Sequence, residues 1–180
     1  FHSTGLYTIR ETLFEAFREV IGSKLKAIYE KSSNTMPFKS PFKPQDGFSW
    51  GSSDENIILE YGNKFKVDWV EGQKTGFFLD QRENRNLLGQ FAKGRDVLNM
   101  FCYTGGFSVY ALRGSARMVH SVDSSAKAIA LTNENIALNN FNTLNHEAIV
   151  ADGLEYMREI KDKYNLIILD PPAFAKHRDA

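Results

Sequence analysis

Several short apolar runs in the second half of the chain end in residues suited to ligand binding. These residues are the glycines Gly105 and Gly106 and the carboxylates Asp123, Asp152 and Asp170. The carboxyl ends of parallel strands meet at one edge of an open sheet, where ligands bind. The pattern therefore predicts one pocket, floored by a glycine turn and lined by acids.

The glycine pair follows the apolar run 97–101 and precedes a helical pattern over 107–113. Strand, turn and helix are therefore predicted, and the glycines allow the backbone to approach a ligand closely. A dinucleotide site needs a third glycine, and Val109 stands in its place, which disfavours a pyrophosphate. Asp123, at the end of the second strand, can accept both hydrogen bonds of a ribose diol, as in any adenosine-containing ligand.

Two further segments suit the recognition of bases. Asp152 ends a third predicted strand and could accept a hydrogen bond from an adenine amine. The run 165–169 is typical of a buried strand and is followed by Asp170, Pro171 and Pro172. The prolines fix φ and lack N–H donors, so the loop should be stiff with free carbonyls. Phe174 offers a ring on which a base could stack.

Five motifs together resemble those of class I S-adenosylmethionine-dependent methyltransferases. They are Asn99-Met-Phe-Cys-Tyr-Thr-Gly-Gly-Phe107, Val122-Asp123, Asp152-Gly153, Asp170-Pro-Pro-Ala-Phe174 and Lys74-Thr-Gly-Phe-Phe-Leu-Asp-Gln-Arg82. The last motif, joined to the first, resembles more narrowly the bacterial family that methylates carbon 5 of a cytosine in 23S ribosomal RNA. The resemblance runs from about Ile28 to Lys176.

The resemblance implies a cofactor, S-adenosyl-L-methionine, a partner, 23S ribosomal RNA of the large subunit, and no metal. It implies cofactor binding by Asn99, Phe101, Tyr103, Thr104, Gly105, Gly106, Asp123, Ser124, Asp152, Gly153 and Asp170. The implied catalytic group, which holds and stacks the target base, is Asp170, Pro171, Pro172 and Phe174. Contacts to RNA or to the methionine end of the cofactor are expected from Lys74, Gln81, Arg82 and Arg85.

In the resembling family a cysteine thiolate adds to carbon 6 of the cytosine, which makes carbon 5 nucleophilic. That cysteine belongs to a motif after a further strand, and this sequence stops before it. Cys102 lies in the cofactor turn and is interpreted as a small buried residue. The chain is therefore expected to bind cofactor without turnover. Two alternatives stay open: methylation of a guanine nitrogen, and a non-catalytic adenosine-binding module.

Composition sets outer limits on function. Among 180 residues, Lys plus Arg and Asp plus Glu number 22 each, so RNA would need a local basic patch. A single cysteine excludes an internal disulfide and a cysteine metal cluster. Neither a transmembrane-length apolar run nor a signal-peptide pattern is present, so a cytoplasmic location is expected.

The fold class predicted is α/β: an incomplete Rossmann-like methyltransferase parallel sheet, preceded by a small α+β subdomain. The predicted divisions are 1–73, a connecting segment 74–94, and 95–180. If 166–169 is a central strand of such a sheet, it would be left as an exposed edge. Either the chain is truncated or a second copy covers that edge, which makes a homodimer one expectation.

Local patterns predict the remaining elements. An amphipathic helix over 4–20 should bury Leu6, Ile9, Leu13, Phe17 and Val20. A short strand over 25–29 and a Pro-containing loop over 32–53 should follow, with loop aromatics that either stack on RNA or pin the loop. A hairpin over 56–70 should turn at Gly62-Asn63. Asp80 should cap a helix over 81–93 that ends at Gly94. A helix over 125–139 should present Ala126, Ile129, Ala130, Asn133, Ile136 and Ala137 on one face.

Overall fold

The computed structural model describes residues 1–141, 143–161 and 163–171, which form two compact units. The first unit is Phe1–Glu55, and the second begins at Asn56. Within the described residues, no helix has the length and apolar character that crossing a bilayer requires.

The first unit contains two helices and a strand pair. Helix α1 covers Thr4–Thr8 and α2 covers Arg10–Ile21, with a break at Ile9, where ψ is 14°. The predicted buried stripe is largely wrong, because Tyr7 and Phe14 are the buried side chains of these helices. Leu6, Ile9, Phe17 and Val20 are exposed, Val20 to 84%. Ring contacts of Phe1 with Tyr7 and Phe14 explain which face packs.

Strand β1 covers Ala27–Glu30 and pairs antiparallel with β2, Gly47–Gly51. The interpretation of 32–53 as continuous loop is therefore wrong at its carboxyl end. Tyr29 and Phe48 pack edge to face across the pair, with ring centroids 5.2 Å apart. Aromatic side chains favour strands through such cross-strand contacts, and here they outweigh the glycines of β2.

The second unit is built on a parallel sheet in the order β7-β6-β5-β8. The strands are β5 (Asp96–Met100), β6 (Met118–Asp123), β7 (His146–Val150) and β8 (Leu166–Leu169). The connecting helices are α4 (Gly106–Arg113), α5 (Ala126–Leu138) and α6 (Gly153–Glu159). In register, Met100 lies beside Val122 and Leu169, so all four strands end at the same edge. This arrangement confirms the predicted fold class.

The second unit also contains a hairpin. Strands β3 (Ile57–Glu60) and β4 (Asn63–Lys66) pair antiparallel, with Glu60 opposite Asn63. The turn residues are therefore Tyr61 and Gly62, one position earlier than predicted. Both have positive φ, 48° and 78°, as a two-residue hairpin turn of this twist requires.

Asparagine side chains in α5 and at its C-cap bond the backbone of β4. Lys66 N–H donates to Asn135 Oδ1 at 2.7 Å. The amide of Asn139 serves both backbone groups of Lys64, accepting from its N–H at 2.9 Å and donating to its C=O at 2.8 Å. Phe65, fully buried, adds ring contacts to the core. The hairpin thus groups with the second unit, whereas the predicted first domain extended to residue 73.

Two helix details differ from the sequence expectations. A short 3-10 turn, Leu79–Gln81, precedes α3 (Arg82–Phe91), and Asp80 lies inside that turn and makes no capping bond to the helix. Helix α5 is capped by Ser125, whose hydroxyl accepts from Ala128 N–H. Its buried residues are Ala128, Ile129, Thr132, Asn135 and Ile136, so the predicted face was right at Ile129 and Ile136 only.

Candidate functional site

The turn after β5 has an unusual backbone. Phe101, Tyr103 and Gly105 all have positive φ, 55°, 48° and 74°. Such conformations are costly for residues other than glycine and concentrate at ligand sites. A Cβ atom on Gly105 would lie 2.5 Å from Thr132 Cγ2, so only glycine fits without displacement. Helix α4 starts at the next residue, as predicted for a strand, turn and helix.

Asp123 is tied to this turn. Its Oδ2 accepts from Tyr103 N–H and its Oδ1 from Ser125 N–H, both at 2.9 Å. Each carboxylate oxygen can accept more than one hydrogen bond. Asp123 is half-buried, so its remaining acceptor capacity can face a ligand. The neighbouring Ser124 is exposed.

Asp152 caps α6 and lies close to the same turn. Its Oδ1 accepts from Leu154 N–H at 2.9 Å and Glu155 N–H at 3.0 Å, while no described donor bonds Oδ2. A Cβ atom on Gly153 would lie 2.7 Å from Phe101 Cζ. The absence of a side chain at Gly153 therefore lets the Phe101 ring pack against the start of α6.

Asp170 and Pro171 follow β8 and are exposed. Because Met100 pairs with Leu169, Asp170 follows β8 at the level where Phe101 follows β5. The structure thus places the three aspartates and the glycine turn at one sheet edge. Pro172 and Phe174 lie outside the described residues.

Asn99, predicted to contact the cofactor, has its side chain directed elsewhere. The amide is buried and donates to Ser108 Oγ at 2.9 Å. The Ser108 hydroxyl lies 2.6 Å from that of Ser121, which lies 2.8 Å from His146 Nε2. Burial lowers the pKa of His146 to about 4. Asn99 therefore belongs to a buried polar chain joining α4, β6 and β7, which argues against a side-chain contact with ligand.

Arg85, predicted to contact RNA or cofactor, is also buried. Its guanidinium forms a two-bond ion pair with Glu60, at 2.8 and 2.7 Å, and donates to Phe78 O at 3.0 Å. Its Cδ lies 3.1 Å from the Cβ position of Gly106. Arg85 therefore packs against the glycine turn, and its buried guanidinium cannot reach a phosphate in this position. This corrects the prediction that Arg85 contacts RNA or cofactor.

The other predicted contacts are more accessible. Lys74 is exposed, with Nζ 5.0 Å from the centre of the Phe78 ring. Arg82 is exposed and pairs with Glu83 at 3.0 Å, and Gln81 accepts from the Asn84 amide.

Thr104 is buried, and its carbonyl accepts from the Asn135 amide at 2.8 Å.

Cys102 is buried, as expected. Burial raises the pKa of its thiol to about 12. The side chain is therefore a protonated thiol near neutral pH, and the thiolate is the nucleophilic form.

Sequence reasoning named Tyr103 as a cofactor contact but did not foresee the bonds of its hydroxyl, and it missed Lys127. The Tyr103 hydroxyl accepts from Gln73 N–H at 3.0 Å and donates to Gly76 O at 3.3 Å. Lys127 pairs with Asp68 at 2.7 Å and also with Glu71. One available signal was Lys127 itself, because a cation in the first turn of a helix is unfavourable unless an acid compensates it.

A family model described as S-adenosylmethionine-dependent methyltransferase matches residues 27–179. The chain belongs to this family. Its members' cofactor is S-adenosylmethionine, as the family's description states.

Individual methyltransferases agree with the family assignment. Ribosomal RNA large subunit methyltransferase I of Aeromonas hydrophila is 40% identical, over 98% of this chain and 45% of its own length. A chain assigned as a ribosomal RNA large subunit methyltransferase in Methanocaldococcus jannaschii is 46% identical, over 98% and 46%. A crystal structure of a chain assigned as a methyltransferase, complexed with SAH, matches with a TM-score of 0.80 and 35% identity, over 97% and 45%. The chain thus spans less than half the length of each of these three methyltransferases.

Proposed function

We propose that this chain is the cofactor-binding part of an S-adenosylmethionine-dependent methyltransferase of large-subunit ribosomal RNA. One observation carries the proposal. Asp123 accepts a hydrogen bond from the N–H of Tyr103, within a glycine turn that has no room for a Cβ atom at Gly105. The names of the relatives support ribosomal RNA as the substrate.

The described residues fit the cofactor. Asp123 would accept from the ribose hydroxyls, because each of its oxygens has acceptor capacity beyond one backbone bond. Asp152 would accept from the adenine amine through Oδ2, since its Oδ1 carries both capping bonds. The backbone at Gly105 and Gly106 would face the methionine end, where no side chain blocks approach. When bound, the cofactor supplies an electrophilic methyl group.

The base would lie at Asp170 and Pro171, with Pro172 and Phe174 as further predicted contacts. In the proposal Asp170 hydrogen-bonds the edge of the base, and the target is carbon 5 of a cytosine in 23S ribosomal RNA. Cys102 cannot supply the thiolate that this chemistry needs, because its thiol is buried and protonated. The 180-residue chain should therefore bind cofactor without methylating RNA. A cytoplasmic location and a homodimer remain predictions.

Calorimetric titration with SAH tests the proposal. We expect wild-type chain to bind SAH and Asp123→Asn to bind it roughly ten- to a hundredfold more weakly, since hydrogen bonds to a charged acceptor are lost. Asp54→Asn, at an exposed position of the first unit, is the charge-matched control. Circular dichroism should show that both variants fold. No heat of binding from the folded wild-type chain would refute the proposal and favour a non-catalytic scaffold.

A further inference from the structure

The segment between β4 and α3 is fixed at two points beside the cofactor turn. We call residues 68–78 the strap. At its start Lys127 pairs with Asp68 and Glu71, and this pairing holds the pKa of Asp68 below its usual range, so the carboxylate stays ionised. In its middle, the Tyr103 hydroxyl bonds Gln73 N–H and Gly76 O. Both anchoring residues are connected to Asp123. Tyr103 donates its backbone N–H to that carboxylate, and Lys127 lies in the helix that follows it.

The second anchor leaves little room for movement. Cβ positions on Gly72 would lie 2.1 Å from Asp68 O and 3.0 Å from the Tyr103 hydroxyl oxygen. A Cβ atom added to Gly76, where φ is 84°, would lie 2.4 Å from Asp68 O. The strap is therefore folded tightly on itself around the Tyr103 hydroxyl.

The tip of the strap presents a cation. Lys74 has a φ of 49°, which lysine rarely adopts and which the two anchors must hold in place. Its ammonium lies over the Phe78 ring, and Phe78 packs edge to face on Tyr103 at 5.5 Å. Among the ion pairs of the described residues, none includes Lys74.

The position of this ammonium favours a phosphate of RNA over the carboxylate of the cofactor. The ammonium contacts the Phe78 ring, Phe78 packs on the Tyr103 ring, and the N–H of Tyr103 bonds Asp123, so no direct contact links Lys74 to Asp123 among the described residues. The Lys74 side chain is exposed, so a polyanion can reach it. A lysine contact to phosphate adds affinity without reading sequence.

We propose that Lys74 anchors a backbone phosphate of the RNA substrate and that the Tyr103 hydroxyl is the positioning group that holds Lys74 there. This inference rests on the proposed function for its substrate class. In this inference Tyr103 serves both sites. Its backbone N–H bonds Asp123 in the cofactor turn, and its hydroxyl holds the strap that carries Lys74.

The first arm of the test measures binding of a short fluorescent single-stranded RNA over a series of salt concentrations. We expect Lys74→Gln to weaken binding roughly five- to tenfold and to lower the slope of log affinity against log salt by about 0.7, whereas Lys74→Arg should restore both. Lys93→Gln, the same charge change at another exposed lysine, should do neither. Equal effects of the two Gln variants, or no RNA binding by wild type, would overturn the proposal.

The second arm separates positioning from direct contact. Tyr103→Phe keeps the ring and removes the hydroxyl, so it should weaken RNA binding and speed hydrogen exchange at the Gln73 amide by about tenfold. Tyr61→Phe, which removes an exposed hydroxyl bonded to Glu83, is the matched control and should change neither. Unchanged RNA binding in Tyr103→Phe would overturn the positioning role.

SAH titration of the same variants distinguishes this proposal from the proposed function. We expect SAH affinity to stay within about twofold in Lys74→Gln, because the inference assigns the ammonium to an RNA phosphate and not to the cofactor. If Lys74→Gln lost SAH affinity and kept RNA affinity, the lysine would bind the cofactor's carboxylate and the inference would be wrong. Failure of wild type to bind SAH would refute the proposed function, whereas the RNA measurements would still decide the role of Lys74.

Discussion

Replacing Arg85 with Ala should destabilise the protein far more than removing a cation from the surface. Arg85 and Glu60 are each 4% exposed and share two hydrogen bonds, so the change leaves a carboxylate buried without its counter-charge. Removal of one partner of such a pair costs about 3–5 kcal/mol. We expect about 3 kcal/mol, the lower end, because the Tyr110 hydroxyl still donates to Glu60.

The ion pair between Lys66 and Glu134 provides the control. It is as short, 2.6 Å, but its side chains are 41% and 51% exposed. Pairs of this kind contribute about 0.2–1 kcal/mol, so Lys66→Ala should change the free energy of unfolding by no more than that. The contrast isolates burial, since distance and charge are matched.

Urea unfolding followed by circular dichroism measures both variants. A double variant, Glu60→Leu with Arg85→Met, should recover most of the lost stability, because it removes both charges and fills the space. Tyr110 would keep its bond to the Glu60 backbone carbonyl, which the substitution retains. If Arg85→Ala cost no more than Lys66→Ala, or if the double variant were the least stable, the reasoning about burial would be refuted.

Two further predictions concern Gly105 and His146. Gly105→Ala should lower the free energy of unfolding, measured in urea, by about 2–4 kcal/mol, because the new methyl group meets Thr132 and φ is unfavourable for alanine. Gly94→Ala, where φ is 68° and the space is open, should lower it by about 1 kcal/mol. Equal losses in the two variants would count against the contact with Thr132. Because the pKa of His146 falls from 6.5 to about 4 on folding, protonation favours the unfolded chain, and stability should drop by roughly 3 kcal/mol as pH falls across that window. His146→Gln should flatten this pH dependence and His2→Gln should not; an unchanged slope in His146→Gln would contradict it.

The sequence predicted the parallel sheet well because its signals are local. Short runs rich in apolar residues, each closed by an acid or a glycine turn, mark the strands. Ile167 and Leu169 of β8 are nonetheless 56% exposed, so the prediction of a buried strand was wrong on that face. The run before Gly105 and the runs before Asp123, Asp152 and Asp170 all became strands that end at one edge. Parallel strands of this type can only place those ends together, so the site followed from the strands.

Burial within helices was harder to predict, because it depends on what lies opposite. Leu6 and Val20 have the periodicity of a buried stripe, yet Tyr7 and Phe14 pack instead, through rings supplied by Phe1. In α5 the buried set includes Thr132 and Asn135, whose hydrogen bonds to the glycine turn and to the hairpin satisfy them. Such partners are distant in sequence and leave no mark in a periodic pattern.

Charged residues were misassigned for the same reason. Arg85 resembles any surface arginine in a helix until Glu60 is placed against it. Asp80 has the spacing of a capping residue, but the chain enters α3 through a 3-10 turn, so Gln81 takes the N-cap position and Asp80 lies one residue before it. In both cases a tertiary contact or a local backbone choice decided the role.

The asparagine amides of α5 occupy the backbone groups that β4 would otherwise offer to another strand. An edge strand with free N–H and C=O groups is a template for aggregation and domain swapping. At Lys64 one amide group imitates a neighbouring peptide unit, donating and accepting at once. We therefore expect substitution of Asn139 to increase self-association more than it changes the free energy of unfolding, because the uncovered strand can pair with a strand of a second molecule.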